Sequence, residues 1–184
     1  MTENPCARIF RALEMSRIPR FLDPLQPRSL NQTWQGVFGR QELPRLAGAS
    51  LGEAPFHVHV DMVLVRGSLG EVRLQATIAG ECGLRCQRCL QPMSWCFALE
   101  PDVVLTDPDG SAVAIGDGQD VVELDADGLL RPAEFVEEEI LLALPLSPRH
   151  DDCGEGIRRE FVPGEGGGEA GNPFAVLKKL RKPL

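Results

Sequence analysis

At 184 residues, 43% of them hydrophobic and 25% charged, the chain has the proportions of a globular protein with one packed core. Its longest apolar run, Ile140 to Leu144, stops at Pro145, far short of the roughly 18–20 residues of a membrane-spanning helix; no basic-then-apolar secretion signal opens the chain and no long period repeats. The net charge of −8, from 19 basic and 27 acidic side chains, excludes a surface that is a nucleic-acid platform throughout, and the expectation is a cytoplasmic protein.

Residues 1–17 read as a flexible leader, with Met15-Ser16 an alternative start and Cys6 given no role. From Ile18 to Gln32 the chain carries Pro19, Arg20, Pro24, Pro27 and Arg28. Proline fixes its own φ and removes a donor, so this is an extended lead-in. Trp34-Gln35-Gly36-Val37-Phe38 is a short strand, and Leu43-Pro44-Arg45-Leu46 opens a turn or a single helical turn. Phe56, Val58, Val60, Met62 and Leu64 then alternate with His57, His59 and Asp61. Beyond Arg66-Gly67-Ser68-Leu69-Gly70, Val72, Leu74, Ala76 and Ile78 alternate with Glu71, Arg73, Gln75 and Thr77. Period 2 on both sides of a glycine-bearing turn predicts a β-hairpin with one buried face.

A third strand starts after Pro92, with Trp95, Phe97 and Leu99 on one face and Ser94, Ala98 and Glu100 on the other, which makes an antiparallel meander. Residues 106–120, with the turn Asp107-Pro108-Asp109-Gly110, are a polar loop, and residues 121–124 a short strand. Asp127 precedes an amphipathic helix predicted over 129–144, where Ala133, Val136, Ile140 and Leu144 share a face. Glu134, Glu137 and Glu138 are placed elsewhere on its wheel, where the acid-rich first half suits the helix dipole.

Residues 164–171 are rich in glycine and glutamate and read as flexible. Asn172 as N-cap and Pro173 at the first helical position open a C-terminal helix with the apolar edge Phe174, Leu177 and Leu180. Its basic end, Lys178, Lys179, Arg181 and Lys182, is either a favourable terminus of a helix docked on the sheet or a contact to RNA or a partner. The predicted class is α+β: an antiparallel β-rich meander or partly closed sheet covered by one amphipathic helix and a short C-terminal helix. One domain is expected over 18–184, with mobile loops near 106–120 and 154–171.

Charge is uneven along the chain. Residues 101–155 hold two basic and fifteen acidic groups, a local balance of −13, while residues 1–60 and 156–184 carry +2 and +3. An acidic middle repels phosphate, so RNA would have to meet the two ends, or be reached through a basic protein partner. The plainer reading is a solvated acidic face that aids solubility.

Six cysteines in a chain read as cytosolic should be reduced thiols, metal ligands or redox groups, not a disulfide framework. Cys82, Cys86, Cys89 and Cys96 fall within fifteen residues. The two-residue spacer between Cys86 and Cys89 lets both thiolates face one metal, and zinc, the usual occupant, takes four ligands. His150 and Cys153, with the same spacer, offer the second half; Cys82 could replace either. Inert thiols are the equal alternative, with Cys96 a small strand residue, and a redox pair the lesser one, since no helix N-terminus adjoins Cys86 to lower its pKa. No Walker loop occurs, the histidines His57 and His59 read as exposed strand residues, and tyrosine is absent. A hydrolytic, phosphate-cradling or base-stacking site is therefore not expected, and the protein reads as no enzyme.

Several of these segments recur together in one known family. Cys86-Gln87-Arg88-Cys89-Leu90-Gln91-Pro92, then Glu137-Glu138-Glu139-Ile140-Leu141-Leu142-Ala143-Leu144-Pro145-Leu146, then Pro148-Arg149-His150-Asp151 and Asn172-Pro173-Phe174-Ala175-Val176-Leu177 stand in that order. Upstream lie Leu22-Asp23-Pro24 and Gly36-Val37-Phe38. In these the chain resembles the YceD family, the large ribosomal RNA subunit accumulation proteins, over about residues 18–183. The resemblance implies a bacterial cytosolic factor for synthesis, processing or stability of 23S rRNA that is not an enzyme. Many relatives carry a second cysteine pair that would complete a four-cysteine zinc site; here Cys153-Gly154 stands alone after His150. Either His150 completes a site of three cysteines and one histidine, or the site has decayed. The expected partner is a ribosomal protein or a large-subunit assembly intermediate, held by the acidic stretch, with the terminal regions available to RNA. The alternative is a zinc-stabilised protein-binding adaptor acting outside ribosome assembly.

Overall fold

The structure, a computed structural model, describes residues 17–26, 29–107 and 118–153. The chain divides after Asp151. The fold that follows is that of the first unit; residues 152 and 153 are described as the direct continuation of His150-Asp151. The elements are β1 (Thr33–Phe38), α1 (Pro44–Ala49), β2 (Phe56–Arg66), β3 (Val72–Arg85), β4 (Pro92–Leu99), β5 (Asp102–Thr106), β6 (Asp120–Glu123) and α2 (Pro132–Ala143). The expected leader, the loop over 108–117, the 154–171 loop and the C-terminal helix with Lys178, Lys179, Arg181 and Lys182 lie outside the described residues. No described helix is long and apolar enough to cross a membrane.

The strands form one six-stranded sheet in the order β1-β2-β3-β5-β6, with β4 also paired to β3. β2 and β3 are the expected hairpin: Phe56 stands opposite Cys82 and Arg66 opposite Val72. The alternation does what it predicts, since Val58, Val60, Met62 and Leu64 are buried and the residues between them are not. At the turn, Gly67 N–H donates to the Glu71 carbonyl at 2.8 Å, and Gly70 supplies a φ of +90°, a backbone conformation other residues rarely adopt.

β4 and β5 share the other edge of β3 in one register, with Leu99 opposite Ile78 and Asp102 opposite Gln75. Pro101 interrupts them because it has no N–H to donate, although its carbonyl still accepts from Ala76 N–H at 3.0 Å. β6 departs from the expectation of a wholly antiparallel sheet: it runs parallel to β5, with Val103 opposite Asp120. The expected partial closure is also absent among the described residues, because β1 and β6 are the two ends of an open path.

The helix expected over 129–144 is present as α2 but begins at Pro132, not at 129. Steric clash with a following proline keeps a residue out of the α region, and Arg131 accordingly has φ −104° and ψ 96°. Leu130, still extended, exchanges backbone hydrogen bonds of 2.9 and 2.8 Å with Leu22, which fastens the lead-in segment to the start of the helix. The core under α2 joins Phe135, Val136 and Ile140 to Val58, Val60, Met62, Leu64, Leu74 and Ile78. Each such side chain, fully buried, stabilises the fold by about 2 kcal/mol.

Candidate metal centre

β3 runs through Cys82 to Arg85, so the cysteine-rich segment is not all turn: only residues 86–91 leave the sheet, at the tip of the β3–β4 hairpin. There Cys86 N–H donates to the Gln91 carbonyl at 3.0 Å and Leu90 N–H to the Cys86 carbonyl at 2.9 Å. Leu90 closes the turn with a φ of +62°. The tight turn aims the N–H groups of Arg88 and Cys89 at Cys86 Sγ, 3.4 and 3.5 Å away. Sulfur held in that way favours its anionic form.

The segment after α2 returns to this turn. Gln87 N–H donates to the Pro148 carbonyl at 2.8 Å, which brings His150 beside Cys89. His150 Nδ1 lies 3.3 Å from Cys89 Sγ, and His150 Nε2 lies 3.1 Å from the Pro92 carbonyl oxygen. A carbonyl can only accept, so Nε2 is the donor there, and Nδ1 is the ring nitrogen turned to Cys89. Partners of this kind fix the tautomer of a metal-binding histidine.

Cys86 Sγ, Cys89 Sγ, His150 Nδ1 or Nε2 and Cys153 Sγ all lie within 4.8 Å of one another. A tetrahedral ion with bonds of roughly 2.0–2.3 Å needs its donors about 3.3–3.8 Å apart, so a contraction of about 1 Å completes the cage. Cys86 is fully buried, and the other three are half-buried. Burial works against ionising Cys86, yet the backbone N–H groups of Cys89, His150 and Arg88 and the Cys89 thiol together bring its pKa from 9.0 down to about 5. A thiolate at neutral pH is what a metal ligand requires. The four predicted ligands are thus brought together, and the group could hold a metal ion.

The remaining candidates are placed elsewhere. Cys82, expected as a possible substitute ligand, faces the core of β3, and burial pushes its thiol up to about 11. It stands outside the group of four donors. Cys96, read as an inert thiol on a strand, is instead disulfide-bonded. His57 and His59 stack edge to face at 5.7 Å on β2, outside the cysteine group. Burial first, and the neighbouring His57 second, hold the His59 pKa below its ordinary value, with Asp61 opposing.

One functional-looking residue escaped the sequence reading. Glu137, assigned to the outer side of the helix, is buried, and its Oε1 accepts from the N–H groups of Arg45 and Leu46 at 2.7 and 3.0 Å. These are first-turn donors of α1, which has no side-chain cap of its own. Glu137 therefore serves the fold, not the metal group. Its signal was present: it lies four residues after Ala133 and three before Ile140, inside the apolar stripe.

A family model described as "Large ribosomal RNA subunit accumulation protein YceD" matches residues 74–181. No solved structure matches the chain. The matched span begins in β3 and takes in the cysteine turn, β4 to β6, α2 and the His150-Cys153 segment. With more than half of its length matched, the chain belongs to the YceD family of large ribosomal RNA subunit accumulation proteins.

Proposed function

We propose that this protein is a non-catalytic ribosome-biogenesis factor needed for synthesis, processing or stability of 23S rRNA, acting by holding a ribosomal protein or a large-subunit assembly intermediate. The observation that carries the proposal is the family match over residues 74–181. The geometry supports it from a second side. A cage of four protein donors leaves no open position for a substrate or an activated water, and closed cages are structural. Zinc suits the donor set of three thiolates and one imidazole. Held by Cys86, Cys89, His150 and Cys153, it would supply a cross-link between the β3–β4 turn and the 147–153 segment. Lys178, Lys179, Arg181 and Lys182 are the proposed contacts to RNA or partner.

In cells lacking the protein, the ratio of 23S to small-subunit rRNA should fall and free large subunits should be depleted on sucrose gradients. An unchanged ratio and unchanged subunit profiles would remove the role and leave an adaptor working outside ribosome assembly. For the metal, elemental analysis of untagged protein should return about one zinc per chain, and His150→Ala should lower zinc affinity by more than about 100-fold, since even partners outside the ligand set cost 10–100-fold. A molar ratio near zero would mean inert thiols.

A further inference from the structure

On the solvent side of α2, Glu134, Glu138 and Leu142 succeed one another every four residues, which puts them on one stripe. Their exposures are 66%, 60% and 83%. Leu146, four residues further and just past the helix, is fully exposed. Two leucines so exposed gain nothing from folding, and Leu142 stands one helical turn beyond Glu138, an apolar side chain beside charge as contact surfaces carry.

Beside this stripe, between α2 and β6, lies a cleft of 290 Å³. Val122, Leu124 and Phe135 form its floor, and Glu123, Glu134 and Glu138 stand at its rim. Counting Asp125, four carboxylates line the cleft against a single guanidinium, that of Arg131. Arg131 is already engaged, at 3.3 Å by Asp125 and 3.7 Å by Glu134. Arg45 reaches Glu138 at 3.2 Å, but both partners are more than half exposed, and such a pair is worth little and is readily exchanged. Glu139, next along the helix, has its pKa raised by burial first and then by the charges of Asp120 and Glu138, which marks a field in want of cations.

An apolar floor under a carboxylate rim has the shape and polarity of a lysine or arginine side chain, whose alkyl stem packs while its head stays at the rim. A phosphate backbone would meet the same carboxylates and be repelled. We propose that the α2–β6 face docks a basic protein segment, with one Lys or Arg side chain in the cleft and apolar side chains over Leu142 and Leu146. The partner's setting, though not the chemistry of the face, rests on the ribosome-assembly reading above.

The test uses the full chain and a fluorescein-labelled peptide rich in lysine and leucine, followed by anisotropy. Its counterpart with glutamate for lysine, and oligouridylate, serve as comparisons. The lysine peptide should bind, more weakly as salt rises, and neither comparison should compete. Glu134→Gln combined with Glu138→Gln should weaken binding about tenfold, with Leu142→Ser an independent second variant that also weakens it. Thermal melts of these surface variants should match the parent. No binding by the lysine peptide, equal binding in both variants, or displacement by oligouridylate would overturn the proposal. So would a dimer that Leu142→Ser dissociates, which gives the face to a second copy. The assay reads nothing of rRNA levels, so its failure removes the face, whereas an unchanged rRNA ratio removes the role.

Discussion

Glu137 sits at 3% exposure in a protein whose other carboxylates mostly face water. A charge removed from solvent must be compensated, and two backbone N–H donors of α1 do so while themselves gaining an acceptor they would otherwise lack. Glu137→Ala should therefore lower stability by about 3 kcal/mol, because it strands two donors as well as deleting charged hydrogen bonds. Glu137→Gln, which keeps an acceptor oxygen, should cost about 1 kcal/mol. Urea titrations with an unchanged slope would check both; equal midpoints for parent and Glu137→Ala would refute the capping role. The residue was misplaced because glutamate is read as a surface residue by type, and nothing in the pattern names a partner 91 positions away. The metal ligands were the reverse case. Two pairs with two-residue spacers carry their chemistry in the spacing, so Cys86, Cys89, His150 and Cys153 were legible before any fold was known.

Among the elements, β3 is the one the whole sheet leans on, since it pairs with β2 on one edge and with both β4 and β5 on the other. Arg40 prepares its far end: its guanidinium donates to the carbonyls of Leu51 and Ala54 at 2.6 and 3.0 Å and lies 4.7 Å over the Phe56 ring. The loop held in this way presses Ala54 against Gly83, where an added Cβ would collide with the Ala54 methyl, and Leu51 N–H reaches the Gly83 carbonyl at 2.8 Å. Gly83→Ala should cost about 1–3 kcal/mol through overpacking, and the loss should shrink in combination with Ala54→Gly. Additive losses in that double variant, read by thermal melts, would refute the clash. Strict alternation made β2 and the first half of β3 readable. It fails at Ala79-Gly80, both buried although on opposite faces, and there the pattern stopped pointing to a strand. The direction of β6 was beyond reach for a different reason: four residues carry no sign of which way their neighbour runs.

Over the whole molecule the acidic excess falls in residues 101–155, the stretch that holds β6 and α2, and there burial first, and then the charges of Asp120 and Glu138, raise the pKa of Glu139. A carboxyl whose folded pKa is raised contributes stability fully present below its unfolded value and lost as pH rises through the folded one. Glu139→Gln, a neutral stand-in for the protonated form, should thus raise the urea midpoint at about pH 7.5 and leave it unchanged near pH 3, where the parent carboxyl is protonated in both states. A lower midpoint at the higher pH would contradict the raised pKa and the burial and neighbouring charges behind it.

The mutual bonds of Leu22 and Leu130 join positions more than a hundred residues apart. During translation the earlier leucine leaves the peptidyl-transferase centre long before its mate exists, and through that interval its backbone N–H and carbonyl lack this partner. This bond pair is consequently among the last to close, an order of events that slows maturation and gives chaperones their opening.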